Sequence, residues 1–152
     1  MIEIIEVKCT AEKTNICNTI LRALPNWFGI ESSIVEYVKD VQELPLVAAF
    51  HKGSPVGFLA IKNHNAYTSE VHVMGILPEF HRQKLGKSLI EAIIPLCSEY
   101  LTVKTIDASR ENEHYAKTRQ FYLAMGFKPL EVFPELWGKD NPCLMMIKDL
   151  KG

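Results

Sequence analysis

The residues best suited to chemistry lie in the segment His81-Arg82-Gln83-Lys84-Leu85-Gly86-Lys87-Ser88, which follows the run Met74-Gly75-Ile76-Leu77-Pro78. The pattern predicts a strand stopped by proline, a short basic loop and the start of a helix. N–H groups in a first helical turn have no intrahelical acceptor and lie at the positive end of the helix dipole, so they bind phosphate oxygens readily. Gly86 lets an anion approach the backbone closely, and Arg82, Lys84 and Lys87 add positive charge. Gly86-Lys87-Ser88 also matches the end of a nucleotide P-loop. That motif needs a glycine five residues before its second glycine, where His81 stands, so a nucleotide hydrolase is the weaker rival.

Glu70 and His72 lie two apart just upstream, in a segment that alternates apolar and polar residues. On a strand they share one face with Met74, where a carboxylate or imidazole can accept a proton. The other reading of the same pair is the exposed polar face of a half-buried strand. Tyr115, Thr118 and Tyr122 share a helical face by i, i+3 and i+7 spacing, which suits core packing as well as a binding wall. His51, His64 and His114 have no partner spacing that suggests a metal, and none is expected.

These groups must be held by a framework, and hydrophobic periodicity outlines one. The first seven residues favour a strand. Ile16, Ile20 and Leu24 mark one face of a helix from Glu12 to about Leu24, ended by Pro25. Ser32 or Ser33 is expected to cap a second helix carrying Val35, Val38 and Val41. Leu46–Phe50 and Val56–Ile61 form a hairpin around Lys52-Gly53-Ser54-Pro55, and Tyr67–Leu77 is a third strand. A helix is expected from Gly86 to about Tyr100, kinked or disturbed in its last turn by Pro95. A short strand at Lys104–Ala108, a helix at Tyr115–Met125 closed by Gly126, and strands at Phe127–Val132 and Leu144–Ile147 complete the chain. The order β-α-α-β-β-β-α-β-α-β-β describes an α/β (α+β) fold, a mixed sheet flanked by helices.

The 152 residues fit one domain spanning 1–152, with no internal repeats or linker-like tracts. With 17 Lys+Arg against 18 Asp+Glu the net charge is -1, which argues against a nucleic-acid binder, since such domains carry a basic excess. Any anionic ligand must be held locally. Cys9, Cys17, Cys97 and Cys143 form no CxxC pair and read as reduced thiols. The N-terminus does not resemble a signal peptide, and no run approaches the roughly 20 apolar residues that cross a bilayer. The expectation is a cytoplasmic protein that binds neither membrane nor nucleic acid.

The segment Met74 to Gly86 resembles the pyrophosphate-binding signature of the GNAT superfamily of N-acetyltransferases. There, a strand ending Leu-x-Val-x-Pro leads into a Gln/Arg-x-x-Gly-x-Gly/Ala loop and a helix. Farther on, Arg119-Gln120-Phe121-Tyr122-Leu123-Ala124-Met125-Gly126-Phe127 resembles the family's Phe-Tyr-x-x-x-Gly-Phe signature, and the element order is similar over nearly all of the chain. His81 stands where Gln or Arg is usual, and Lys84 replaces the first glycine of the loop. Either that position needs a positive φ, which strains a non-glycine residue, or its backbone is ordinary helical and the Lys84 charge lies near the phosphates; the second is the expectation.

The resemblance implies a mostly antiparallel sheet and direct transfer of an acetyl group from acetyl-CoA to an amine of a small molecule or peptide. It places the pyrophosphate on the loop from His81 to Ser88 and the pantetheine along Met74, Gly75 and Ile76. A strand N–H of Met74 or Ile76 then polarises the thioester carbonyl. It assigns Tyr122 as the acid that protonates the departing thiolate and Glu70, ahead of His72, as the base. Tyr115 and Thr118 would line the CoA tunnel, and Trp27, Phe28, Phe133 and Trp137 come from segments that border the acceptor site. A CoA-binding sensor without turnover is the alternative. The late strands could pair between subunits, as in a homodimer.

Overall fold

A computed structural model describes residues 2–81 and 84–151. The strands are β1 Ile2–Val7, β2 Leu46–His51, β3 Ser54–Asn63, β4 Thr68–Ile76, β5 Tyr100–Ile106, β6 Lys128–Phe133 and β7 Cys143–Asp149. The helices are α1 Thr10–Arg22, α2 Glu31–Asp40, α3 Leu85–Ile93 and α4 Glu113–Ala124. The chain order is the one expected from hydrophobic patterning. The strands form one sheet in the order β1-β2-β3-β4-β5-β7-β6. β1–β2, β2–β3, β5–β7 and β6–β7 pair antiparallel, whereas β4 and β5 pair parallel over three residues, Thr68–Glu70 opposite Tyr100–Thr102.

The chain divides into two compact units, Met1–Lys62 with His72–Cys97, and Asn63–Val71 with Ser98–Gly152. In the first, α1 buries Ile16, Cys17, Ile20 and Leu21 in a core with Leu24, Ile34, Leu46, Phe58 and Val73. In the second, Leu101, Val103, Phe127, Leu144 and Met146 are buried. No described helix is long and apolar enough to cross a membrane.

Local chemistry set several boundaries differently from the expectation. The β2–β3 turn is only Lys52-Gly53, both with positive φ (50° and 81°), while Ser54 and Pro55 already belong to β3. Two consecutive left-handed residues match the right-handed twist of the flanking strands, which favours so tight a connection. Neither Ser32 nor Ser33 caps α2: its N-cap is Ile30, which makes no side-chain cap bond, and both serines lie within the first helical turn. α3 does not continue to Tyr100. It stops at Ile93 and gives way to a 3₁₀ turn, Ile94–Leu96, because Pro95 cannot donate the next helical hydrogen bond. The residues thereby released let β5 begin at Tyr100, four positions before the expected Lys104.

Candidate active site

Alternation along β4 buries Ser69, Val71, Val73 and Gly75 on one face and leaves Glu70, His72, Met74 and Ile76 half-buried on the other. The shared face of Glu70, His72 and Met74 is therefore present. Gly75 has a packing reason: a Cβ there would lie 3.1 Å from both Ile20 Cγ2 of α1 and Leu24 Cδ1 just beyond that helix. Beyond β4, the Leu77 N–H donates to the Val56 carbonyl (2.9 Å), and Pro78–Phe80 forms a 3₁₀ turn. The His81 imidazole then donates from Nε2 to the Ile76 carbonyl (2.7 Å), tying the loop back to the end of the strand. Trp27 meets His81 edge-on at a centroid distance of 5.7 Å.

Arg82 and Gln83 lie outside the described residues. Lys84 is the N-cap of α3 and has φ 61° and ψ 18°, so the expectation of ordinary helical backbone is corrected. The left-handed conformation that glycine would supply freely is here imposed on a residue with a Cβ. The first i→i−4 bond of α3 runs from the Ser88 N–H to the Lys84 carbonyl (3.1 Å). The N–H groups of Leu85, Gly86 and Lys87 precede it, in a first turn with no acidic residue. Lys84 and Lys87 are exposed, while Leu85 and Gly86 are buried.

His72 has a partner from a distant part of the chain. Its Nε2 lies 2.8 Å from Oδ2 of Asp40, the last residue of α2. The Tyr37 ring meets the imidazole edge-on at 5.6 Å, and Phe28 meets Tyr37 at 5.9 Å. Tyr37 also lines a shallow cleft of about 300 Å³ with Ser32, Ser33 and Glu36. Trp27 and Phe28 both pack against the apolar core of this unit.

In the second unit Glu70 is engaged through both oxygens. Oε1 lies 2.7 Å from His64 Nε2, and Oε2 accepts from Lys104 Nζ at 3.1 Å. Burial pushes its carboxyl up, but the hydrogen bonds and charges of His64 and Lys104 outweigh this and hold it below the ordinary carboxylate value. Glu70 is thus a stabilised anion.

α4 is positioned at both ends by backbone chemistry. Asn112 caps its N-terminus, its side-chain oxygen accepting from the N–H groups of His114 (2.9 Å) and Tyr115 (3.2 Å). At the other end Gly126, with φ 93°, sits in a Schellman turn. The Phe127 N–H donates to the Tyr122 carbonyl (3.0 Å) and the Gly126 N–H to the Leu123 carbonyl (3.1 Å). Lys148 Nζ caps the Met125 carbonyl at 2.7 Å, and a Cβ on Gly126 would come within 2.8 Å of that same nitrogen. The turn folds Phe127 onto Tyr122, with ring centroids 5.3 Å apart. Tyr122 is only 6% exposed, and burial raises its phenol well above the ordinary value, keeping it protonated. One turn earlier on the same face, Thr118 donates to the His114 carbonyl (3.0 Å), and Tyr115 is half-buried. Phe133, half-buried, ends β6, and Trp137 is exposed in the following loop.

The Acetyltransferase (GNAT) domain family matches residues 42–129, more than half of the 152 residues. The chain belongs to the GNAT acetyltransferase family. Solved structures agree in fold along the whole chain. A GNAT-family protein from Desulfovibrio desulfuricans superposes with TM-score 0.80 at 13% identity, covering 99% of each chain. An aminoglycoside 6'-N-acetyltransferase complexed with coenzyme A gives TM-score 0.75 at 17% identity, covering 99% of this chain and 97% of its own. A GNAT acetyltransferase from Elizabethkingia anophelis with acetyl-CoA bound gives 0.72 at 14%, covering 97% of both. No curated protein matches the chain significantly.

In this GNAT enzyme the first unit brings together His72, Met74, Ile76, His81, Trp27 and Phe28, and the second holds Glu70, Tyr115, Thr118, Tyr122, Phe133 and Trp137. Sequence reasoning missed Asp40, His64 and Lys104, the partners of His72 and Glu70. Asp40 and Lys104 stand 32 and 34 residues from their partners, so no local spacing announces them. Asn112 was readable: an Asn followed by Glu113 before a helical stretch is an ordinary capping signal.

Proposed function

We propose that this GNAT enzyme transfers the acetyl group of acetyl-CoA to a primary amine of a small molecule or peptide, directly and in a ternary complex, and that residues 1–152 serve that one activity. The observation that carries the reading is the half-buried face of β4, which bears Glu70, His72, Met74 and Ile76 and runs through the His81 loop into the first turn of α3. In this reading the N–H groups of Leu85, Gly86 and Lys87, with Arg82, Gln83, Lys84 and Ser88, hold the pyrophosphate. The pantetheine lies beside Met74, Gly75 and Ile76, and a strand N–H of Met74 or Ile76 polarises the thioester carbonyl.

Tyr122 protonates the departing thiolate; its phenol, buried on α4, is in the protonated form that can donate. The amine proton goes to the Glu70 and His72 positions. Tyr115 and Thr118 line the cofactor path, and Trp27, Phe28, Phe133 and Trp137 border the acceptor. The four cysteines are unpaired, which supports a reducing, cytoplasmic setting.

The test is a panel of small amines and peptides incubated with acetyl-CoA, reading free thiol and acetylated amine together. Equal amounts of both with at least one amine are expected. Tight acetyl-CoA binding without thiol release on any amine would leave a cofactor-sensing module instead.

A further inference from the structure

We propose that Asp40 is the positioning residue of the transfer, holding His72 in the tautomer whose Nδ1 takes the proton of the acceptor ammonium. The inference rests on the acetyltransferase reading above. A carboxylate can only accept, so at 2.8 Å from Asp40 Oδ2 the His72 Nε2 carries the hydrogen, and in the neutral ring the lone pair resides on Nδ1. The ring plane is fixed as well, because Tyr37 abuts it edge-on and is itself buttressed by Phe28. Orienting carboxylates act in this way on catalytic histidines elsewhere.

Two further observations point the same way. Asp40 ends α2, where the helix carbonyls already present negative charge and a carboxylate is poorly placed for stability. A locally unfavourable residue whose side chain bonds a half-buried histidine is better explained by function than by folding. Glu70, the other candidate base, has both oxygens committed to His64 and Lys104. Tyr37, whose ring meets that of His72, also lines the cleft with Ser32, Ser33 and Glu36. Among the described titratable groups, Tyr37 of α2 meets the His72 ring and Cys17 of α1 feels the Asp40 charge. Burial and the Asp40 charge push the Cys17 thiol up to about 12, so it stays protonated.

The step balances as follows. One ammonium proton moves to His72 Nδ1 and later to solvent. The freed nitrogen pair forms the C–N bond, and the carbonyl π pair moves to oxygen. It returns as the C–S bond breaks and the thiolate leaves with its electron pair. Tyr122 protonates the sulfur, and the second nitrogen proton restores the phenol.

Long-range proton–nitrogen NMR of the histidine rings in the wild-type enzyme reads the tautomer directly. Neutral His72 should carry its hydrogen on Nε2. Asp40→Ala should convert it to a tautomer mixture and lower kcat about tenfold, with KM for acetyl-CoA unchanged. His72→Gln should lower kcat about a hundredfold or more, as loss of a general base does. A wild-type Nδ1–H tautomer, or wild-type kcat in either variant, overturns the proposal. The wild-type spectrum decides the tautomer even if Asp40→Ala folds poorly. If wild-type enzyme acetylates no amine, the acetyltransferase reading falls first; if it does and both variants match it, only the proposal falls.

Discussion

Tyr122 is held by contacts that a phenylalanine would keep. Its ring packs against Phe121 and Phe127, and its carbonyl accepts from the Phe127 N–H, none of which involves the hydroxyl. Tyr122→Phe should therefore fold normally and bind acetyl-CoA nearly as tightly, yet lose about a hundredfold in kcat, within the range for a general acid. Steady-state kinetics with the amine found above checks this, and an unaltered kcat removes Tyr122 from the mechanism. Lys84 poses the opposite problem, a side chain in a backbone conformation that disfavours it. Left-handed backbone costs a non-glycine residue about 1–2 kcal/mol, so Lys84→Gly should stabilise the ligand-free enzyme by up to about 1 kcal/mol after glycine's own entropy cost. The same change removes a charge from the loop before α3 and should raise KM for acetyl-CoA modestly. Urea unfolding and kinetics on one preparation read the two opposed shifts, and tighter acetyl-CoA binding would contradict the assignment of Lys84 to the phosphates.

Between elements, the Glu70 cluster joins β4 to β5 through Lys104 and to His64 in the β3–β4 connection. Because the folded carboxyl is held below its reference value of 4.5, its contribution to stability is fully present above that value. It is lost as pH falls through the lower folded value. Urea midpoints compared between neutral pH and about pH 3 should drop less in Glu70→Gln than in wild type, and equal drops would show that the cluster contributes nothing. Elements of this kind were only partly legible in the sequence. The face of α1, the alternation of β4 and the glycine stop after α4 follow from residues two to eight positions apart, and they appear as expected. The start of α2 at Glu31, with Ile30 as its N-cap, and the bonds from Asp40 to His72 and Lys104 to Glu70 depend on how distant segments register against each other. Hydrophobic spacing within one segment does not encode that.

At the scale of the whole molecule, charge and sheet edges constrain what it can bind. β6 ends the sheet with Pro129, a register break between Pro129 and Glu131, and the charges of Lys128 and Glu131. Such features resist the addition of another strand, so pairing of the late strands between subunits would have to overcome them. The net charge of -1 supplies no general attraction for anions. In the proposed reading a phosphate-bearing ligand owes its affinity to one loop and one helix start, and the response to ligands should be selective rather than shared by all polyphosphates. At one hundred times its Kd, acetyl-CoA should stabilise the folded chain by about 2.7 kcal/mol and raise Tm by roughly 5–10 °C. ATP at the same concentration also carries phosphates but lacks the pantetheine that would lie along Met74 to Ile76, and it should shift Tm far less. A thermal melt with each ligand separates the cases: equal shifts would mean that bulk phosphate binding, not the β4 face, governs recognition, and no shift with acetyl-CoA would remove it as the co-substrate.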